Sequence, residues 1–244
     1  MRRFTWVLVL AVLLAAWEAY VQLRGVPEYL LPAPSQIAQA LWDDRSTLAS
    51  QALVTLKEML LGFAAAVVIG FAAAVLLHLA PWLRGAVQPI LIASQSVPVV
   101  AIAPILVIYL GFGLAPKVLI VALVCFFPIT VNTLDGLERV DPEYRRMLRT
   151  LDATRWQVFR RVELPWSLPG LFAGARIAAS YSAVAAVFAE YAGGQSGLVD
   201  SMRDGFDTPL VGAAIVVLAL MSLALYGAVT HPGGAKETQS YADV

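Results

Sequence analysis

Long apolar runs alternate with short polar connections along this chain. Six runs reach the ~20 residues a membrane helix needs. They are Phe4 to about Leu23, Leu53 to Ala80, Val87 to Leu110, Leu114 to Leu134, Pro169 to Tyr191 and Leu210 to Val229. The pattern predicts an all-α, polytopic membrane protein with six transmembrane helices, in one domain over residues 1–244. Between the first two runs lies a polar stretch, Arg24 to Gln51, with Pro27, Pro32 and Pro34. Ser35 there precedes a short amphipathic pattern of Ile37, Leu41 and Trp42. The first run follows Met1-Arg2-Arg3 and so resembles a signal peptide. Its apolar character continues through Trp17, Tyr20, Val21 and Leu23, beyond an ordinary signal core, which favours a retained helix.

Basic residues mark the cytoplasmic side of a membrane protein. With six spans, one side collects eleven: Arg2, Arg3, Arg84, the seven arginines from 139 to 161, and Lys236. The other side holds Arg24, Arg45 and Arg203, with Lys117 at a span's edge. Both termini are therefore expected in the cytoplasm. Gly62, Ala66, Gly70 and Ala74 recur every four residues, as do Gly170, Gly174, Ala178, Ser182 and Ala186. A step of four residues turns about 400°, so each stripe drifts by about 40° per step. Such stripes suit helices that cross at close range.

Pro98, Pro104 and Pro128 interrupt the third and fourth runs, next to Ser94, Gln95, Ser96, Thr130, Asn132 and Thr133. These groups form either a kinked wall touched by water or a packing kink plugged by side chains. Glu190 ends the fifth run, and it reads as a pathway residue or as a carboxylate reaching interfacial water. Arg176, about two turns into the same run, either snorkels or ties down carbonyls.

The longest charged connection runs over 135–168. Asp141-Pro142-Glu143 is a helix start, with an N-cap, a proline at the first position and an acid in the first turn. That helix should reach about Leu151, with Met147, Leu148 and Leu151 on one side. Asp152-Ala153 turns the chain. Thr154-Arg155-Trp156-Gln157 has capping-box spacing and starts a second helix through Val158, Phe159 and Val162. Pro165 is expected to end it, and Pro169 to start the next span. Trp156 and Phe159 among arginines suit a protein interface, or a segment lying on anionic lipid.

Composition narrows the class. Of 244 residues, 59% are apolar and 14% charged, and the mean hydropathy is +0.74. A soluble domain carries about 25% charged residues, so a water-soluble enzyme and a disordered chain are both excluded. Lys+Arg and Asp+Glu are 17 each, and zero net charge gives no overall attraction to nucleic acid. Cys125 is a lone cysteine, His78 and His231 lie far apart, and no metal motif or nucleophile–base pair is present. No catalytic residue, metal or cofactor is expected in this chain.

The element order and several motifs resemble the permease subunits of ABC importers served by a binding protein. Val162-Glu163-Leu164-Pro165 matches the end of their cytoplasmic loop signature, and Pro142-Glu143-Tyr144 and Arg149-Thr150-Leu151 align with its first helix. Arg146-Met147-Leu148 stands where that family has Glu-Ala-Ala, and Asp152 stands at its glycine. Aspartate tolerates the left-handed turn, and the changed charge suggests an ATPase particular to this permease. Tyr29 to Ser35, Gln95-Ser96-Val97-Pro98, Gly111-Phe112-Gly113 and Phe126-Phe127-Pro128 are similar to the sulfonate, taurine and nitrate group. Gly174 to Tyr181 followed by Glu190 is similar to the hydroxymethylpyrimidine (thiamine precursor) branch.

The resemblance implies a permease in the bacterial inner membrane, moving a small polar solute by alternating access. It implies a second permease copy, a cytoplasmic ATP-binding subunit dimer that carries the ATP, and an extracytoplasmic solute-binding protein. Short coupling helices in the 135–168 loop would transmit motion. Asp152, Arg155, Trp156 and Phe159 would touch the ATPase, and Glu143 and Arg149 would shape the first loop helix. Ser96, Asn132, Ser182 and Glu190 are the candidates for lining the path. The chain has no Gly-x-x-x-x-Gly-Lys-Ser/Thr loop, and Gly193-Gly194-Gln195 only superficially resembles an ATPase signature. The rival readings are an ATP-independent secondary transporter or channel, and an intramembrane enzyme. The polar end, His231 to Val244, is expected to be mobile.

Overall fold

Three long helices define the molecule, and small residues decide how closely they approach. In a computed structural model, residues 5–94, 97–193, 196–199 and 207–237 are described. Ser96, the Met1-Arg2-Arg3 start and the Gly194-Gln195 pair lie outside them. Ten helices occur among the described stretches longer than four residues. They are α1 (Thr5–Arg24), α2 (Pro34–Asp43), α3 (Arg45–Leu79), α4 (Pro81–Ser94), α5 (Val99–Leu110), α6 (Leu114–Glu138), α7 (Pro142–Thr150), α8 (Arg155–Val158), α9 (Leu164–Gly193) and α10 (Thr208–Glu237). A π turn, Phe159–Glu163, joins α8 to α9.

Helix α6 runs between α3 and α9. Both sequence stripes face it: Gly62, Ala66, Gly70 and Ala74 of α3 are buried, as are Gly170, Gly174, Ala178, Ser182 and Ala186 of α9. The crossing is close enough that a Cβ at Gly174 would overlap the Pro128 carbonyl, and one at Gly170 the Asn132 carbonyl. Met59, Ala66, Val121, Cys125, Ile129, Ala178 and Ala186 fill the shared core. The polar groups around Pro128 turn back onto their own helix. Asn132 Nδ2 donates to the Pro128 carbonyl at 2.7 Å, and Thr130 Oγ1 to the Phe126 carbonyl at 2.8 Å. These side chains are therefore bonded within α6 itself.

Outside this trio, α1 presents an apolar surface nearly all round and is mostly exposed, as a lipid-facing helix should be. Glu18, which interrupts its apolar run, reaches the start of α2. Ser35 donates to it through N–H at 2.9 Å and through Oγ at 2.7 Å. The carboxylate thus meets the positive end of α2. Ile37, Ala40, Leu48, Leu198, Ala213 and Leu218 then close a second core among α2, α3, α10 and the 196–199 segment.

Several expectations change. The third run is two helices, because Pro98 lacks an N–H and adopts extended backbone (φ −63°, ψ 115°) just ahead of α5. Among the described residues, five helices are long and apolar enough to cross a membrane, with α5 a shorter apolar helix, so the structure does not fix six continuous spans. Pro165 does not end the second loop helix. Helix runs on from Arg155 to Gly193, because the wider π turn relieves the clash between the proline ring and the preceding carbonyls. Finally, α10 continues through Glu237, so the polar end starts out helical, and residues 238–244 lie outside the described set.

Candidate functional site

Two polar constructions sit at opposite ends of the α3–α6–α9 trio. The first is the two-helix loop. Asp141 caps α7 by accepting the Glu143 N–H at 2.7 Å. Thr154 caps α8 by accepting the Gln157 N–H at 3.3 Å, while Gln157 Oε1 accepts the Thr154 N–H at 2.8 Å. Between the helices Asp152 takes φ 59°, the left-handed value expected from its place in the turn.

Glu163, in the Val162-Glu163-Leu164-Pro165 end of the loop, ties this foot to the bundle. It meets His78 Nε2 of α3 at 2.8 Å and Arg145 Nε of α7 at 3.1 Å. Arg145 also donates to the Leu137 carbonyl of α6 at 3.0 Å, and Arg155 donates to the Leu79 carbonyl of α3 at 3.0 Å. Arg84 pairs with Glu138. A displacement of the loop therefore acts on α3, α6 and α9 together.

Of the loop residues predicted to meet a partner, Trp156 is 60% exposed, and Asp152, Arg155, Glu143 and Arg149 are exposed too. Phe159 is not: it is 4% exposed and packs with Ala74, Leu77, Leu134 and Leu137. Trp156 stacks on it at 5.4 Å between ring centroids. The π turn directs Phe159 inward, where it props the exposed indole from behind.

The second construction was not foreseen. Glu58 of α3 and Lys117 of α6 are 1% and 2% exposed, and their charged atoms lie 2.7 Å apart. Lys117 Nζ also donates to the Ser196 carbonyl at 2.8 Å. Glu190 of α9, 1% exposed, accepts from Thr55 Oγ1 at 2.5 Å and from the Val199 N–H at 2.8 Å. The Gly197 N–H donates to Gln51 Oε1 at 2.8 Å, and the Leu198 N–H to Thr55 Oγ1 at 3.1 Å. The 196–199 segment is thus clamped across the ends of three helices. Buried charges persist when paired or hydrogen-bonded: Glu58 pairs with Lys117, and Glu190 accepts two hydrogen bonds.

This arrangement corrects one placement. Glu190 does not reach interfacial water, because its carboxylate is taken up by the clamp. Lys117 stays at its span's edge, in the first turn of α6, but is buried there. Ser182 faces the α6 side and donates to the Ala179 carbonyl at 2.8 Å, and Asn132 is half-buried and bonded to its own helix. Ser182 and Glu190 are both buried within the chain.

The sequence and the fold are matched in known proteins. The family of binding-protein-dependent transport system inner membrane components matches residues 66–231. The chain belongs to that family. It is 40% identical over 236 residues to a riboflavin transport system permease protein of Chloroflexus aurantiacus, covering 93% of this chain and 88% of the relative. It is 35% identical to a formylaminopyrimidine transport permease protein of Halalkalibacterium halodurans (89% and 88% covered). It is 31% identical to the taurine transport system permease protein of Escherichia coli (88% and 82% covered). A chain of the MetNI methionine ABC transporter, solved in inward-facing conformations, shares the fold. Its TM-score is 0.67 at 20% identity, over 77% of this chain and 95% of that one. The permease is therefore a multi-pass subunit of an ABC importer in the sulfonate, nitrate and taurine group. It is not an enzyme, and ATP hydrolysis belongs to a separate subunit.

Proposed function

We propose that two copies of this permease form the path of an ATP-driven importer in a bacterial inner membrane, with both termini in the cytoplasm. A cytoplasmic ATP-binding dimer grips the α7–α8 foot, and an extracytoplasmic binding protein delivers the solute to the clamped end. ATP-driven closure of the ATPase moves the foot, and the tied trio rocks between inward- and outward-open states. The observation that carries this reading is the exposed Trp156, propped by buried Phe159, on a foot that Glu163 ties to α3 and α7.

The solute we propose is a planar nitrogen heterocycle of the pyrimidine or flavin class, in preference to a sulfonate or nitrate. Two relatives with 40% and 35% identity carry riboflavin and formylaminopyrimidine in their names. On α9, the face turned away from α6 exposes Ile177, Tyr181, Val184, Phe188 and Tyr191. Aromatic rings on such a face offer stacking to a flat solute. The test is uptake into proteoliposomes holding the permease, its ATPase and its binding protein. ATP-dependent accumulation of riboflavin or a pyrimidine, with taurine and nitrate excluded, is the expected result. Accumulation of taurine alone overturns the solute class. Uptake without nucleotide overturns the ATP-driven mechanism and favours a secondary transporter, for which the buried Glu58, Lys117 and Glu190 would be the ionisable set.

A further inference from the structure

The clamp uses its charges internally, and the exposed α9 face belongs to the path. A strongly charged cavity remains unassigned. It lies at the foot end, between the α3–α4 elbow, the end of α6 and the two loop helices. Its volume is about 360 Å³, and its charged lining is Arg84, Arg145, Arg149, Arg155, Glu138 and Glu163. Four guanidinium groups thus face two carboxylates.

The carboxylates are already matched. Glu138 takes Arg84, and Glu163 takes Arg145 together with His78. Arg149 and Arg155 are left without a carboxylate in the cavity. Arg155 spends one donor on the Leu79 carbonyl, and the Arg149 side chain makes no ion pair among the described residues. Two guanidinium forks lining one cavity can match the tetrahedral oxygens of a phosphate group. The volume would hold on the order of ten waters, more than a bare anion displaces.

The setting says what carries the phosphate. Trp82, beside Pro81 at the cavity's edge, and Trp166, three residues past Glu163, are both well exposed at this end. Exposed indoles mark the headgroup level of a bilayer. Basic pockets between spans on the cytoplasmic side suit anionic lipid headgroups. Apart from the His78 imidazole, the lining has no aromatic ring, so a nucleotide base would find nothing to stack on.

We propose that this cavity is a binding site for the phosphate of an anionic phospholipid, which bridges the α3–α4 elbow to the coupling foot. The headgroup neutralises Arg149 and Arg155 and holds both loop helices against the membrane surface. The site needs neither ATPase nor solute, so its test stands apart from that of the transport reading.

The experiment titrates purified, delipidated full-length permease with phosphatidylglycerol, with phosphatidylcholine of the same chains, and with sodium phosphate. Thermal unfolding and native mass spectrometry read the binding. Phosphatidylglycerol should bind, raise the unfolding temperature and weaken with added salt. The double variant Arg149→Gln/Arg155→Gln should lose affinity by at least about tenfold, as expected for two charge-assisted contacts. Arg149→Gln alone removes a side chain with no ion pair to lose, and it should give a smaller loss in the same direction. Arg160→Gln removes a charge on the same segment outside the cavity and should leave affinity within about twofold. Equal protection by phosphatidylcholine, an equal loss in Arg160→Gln, or saturation by sodium phosphate alone would each overturn the assignment.

Discussion

Gly197→Ala offers a direct test of the clamp. Gly197 has φ +114°, a backbone angle that L side chains rarely adopt, and a Cβ there would overlap the Glu190 carboxylate. The backbone alone contributes about 1–3 kcal/mol of strain. The carboxylate must also move, which weakens its bonds from Thr55 Oγ1 and the Val199 N–H. Hydrogen bonds to charged groups are worth about 1.5–3 kcal/mol each. With partial relaxation, the expected loss is about 4 kcal/mol, or roughly 8–16 °C in unfolding temperature for a chain of this size.

The decisive measurement is a double-mutant cycle with Glu190→Ala. That change alone leaves the Thr55 hydroxyl and the Val199 N–H short of a partner, and should cost about 3 kcal/mol. In the double variant the clash is gone and the lost bonds are counted once. The combined loss should fall short of the sum by at least about 2 kcal/mol. Thermal unfolding of the four purified proteins gives the coupling. Additive losses would show that the two residues do not meet, and would refute the clamp geometry.

Three other changes probe the remaining parts. Trp156→Ala should weaken ATPase affinity by about 2 kcal/mol or more, roughly thirtyfold, with membrane insertion unchanged; co-purification with the ATPase in undiminished yield would contradict a docking role. Lys117→Met strands the buried Glu58 carboxylate and should destabilise by about 3–5 kcal/mol, whereas Lys117→Met/Glu58→Met should recover most of that in unfolding measurements. Asp152→Gly should keep or slightly raise stability, because φ 59° suits glycine, while Asp152→Val should lose about 1–2 kcal/mol; equal unfolding temperatures for the two would remove the turn argument.

What the sequence made legible is local. The caps at Asp141 and Thr154 and the left-handed turn at Asp152 depend on residues within four positions, and all three formed as the spacing implied. The break at Pro98 was harder to place. Apolar character continues from Val87 to Leu110, and hydropathy does not distinguish one kinked span from two helices. Phe159 was misjudged for a similar reason. An α-helical wheel does not anticipate a π turn, which rotates the following side chains relative to the preceding ones.

The clamp was missed even though its register is written in the stripes. Extended by steps of four, the α3 stripe runs Glu58, Gly62, Ala66, Gly70, Ala74 and His78. On α9 the stripe ends Ser182, Ala186, Glu190, and on α6 the buried series begins Lys117, Val121, Cys125, Ile129. Each row of small or apolar residues that lets backbones approach therefore runs on into an ionisable residue. At the clamp end these residues are buried, because they continue faces that already lie against neighbouring helices. On α3 one end meets Lys117 and the other meets Glu163. Helix α3 thus links the clamp to the coupling foot, with the tight Gly62 and Gly70 contacts to α6 between them. A helix so constrained along its length transmits movement as a rigid lever, because sliding it past α6 would break the Glu58–Lys117 ion pair before the small residues lost contact.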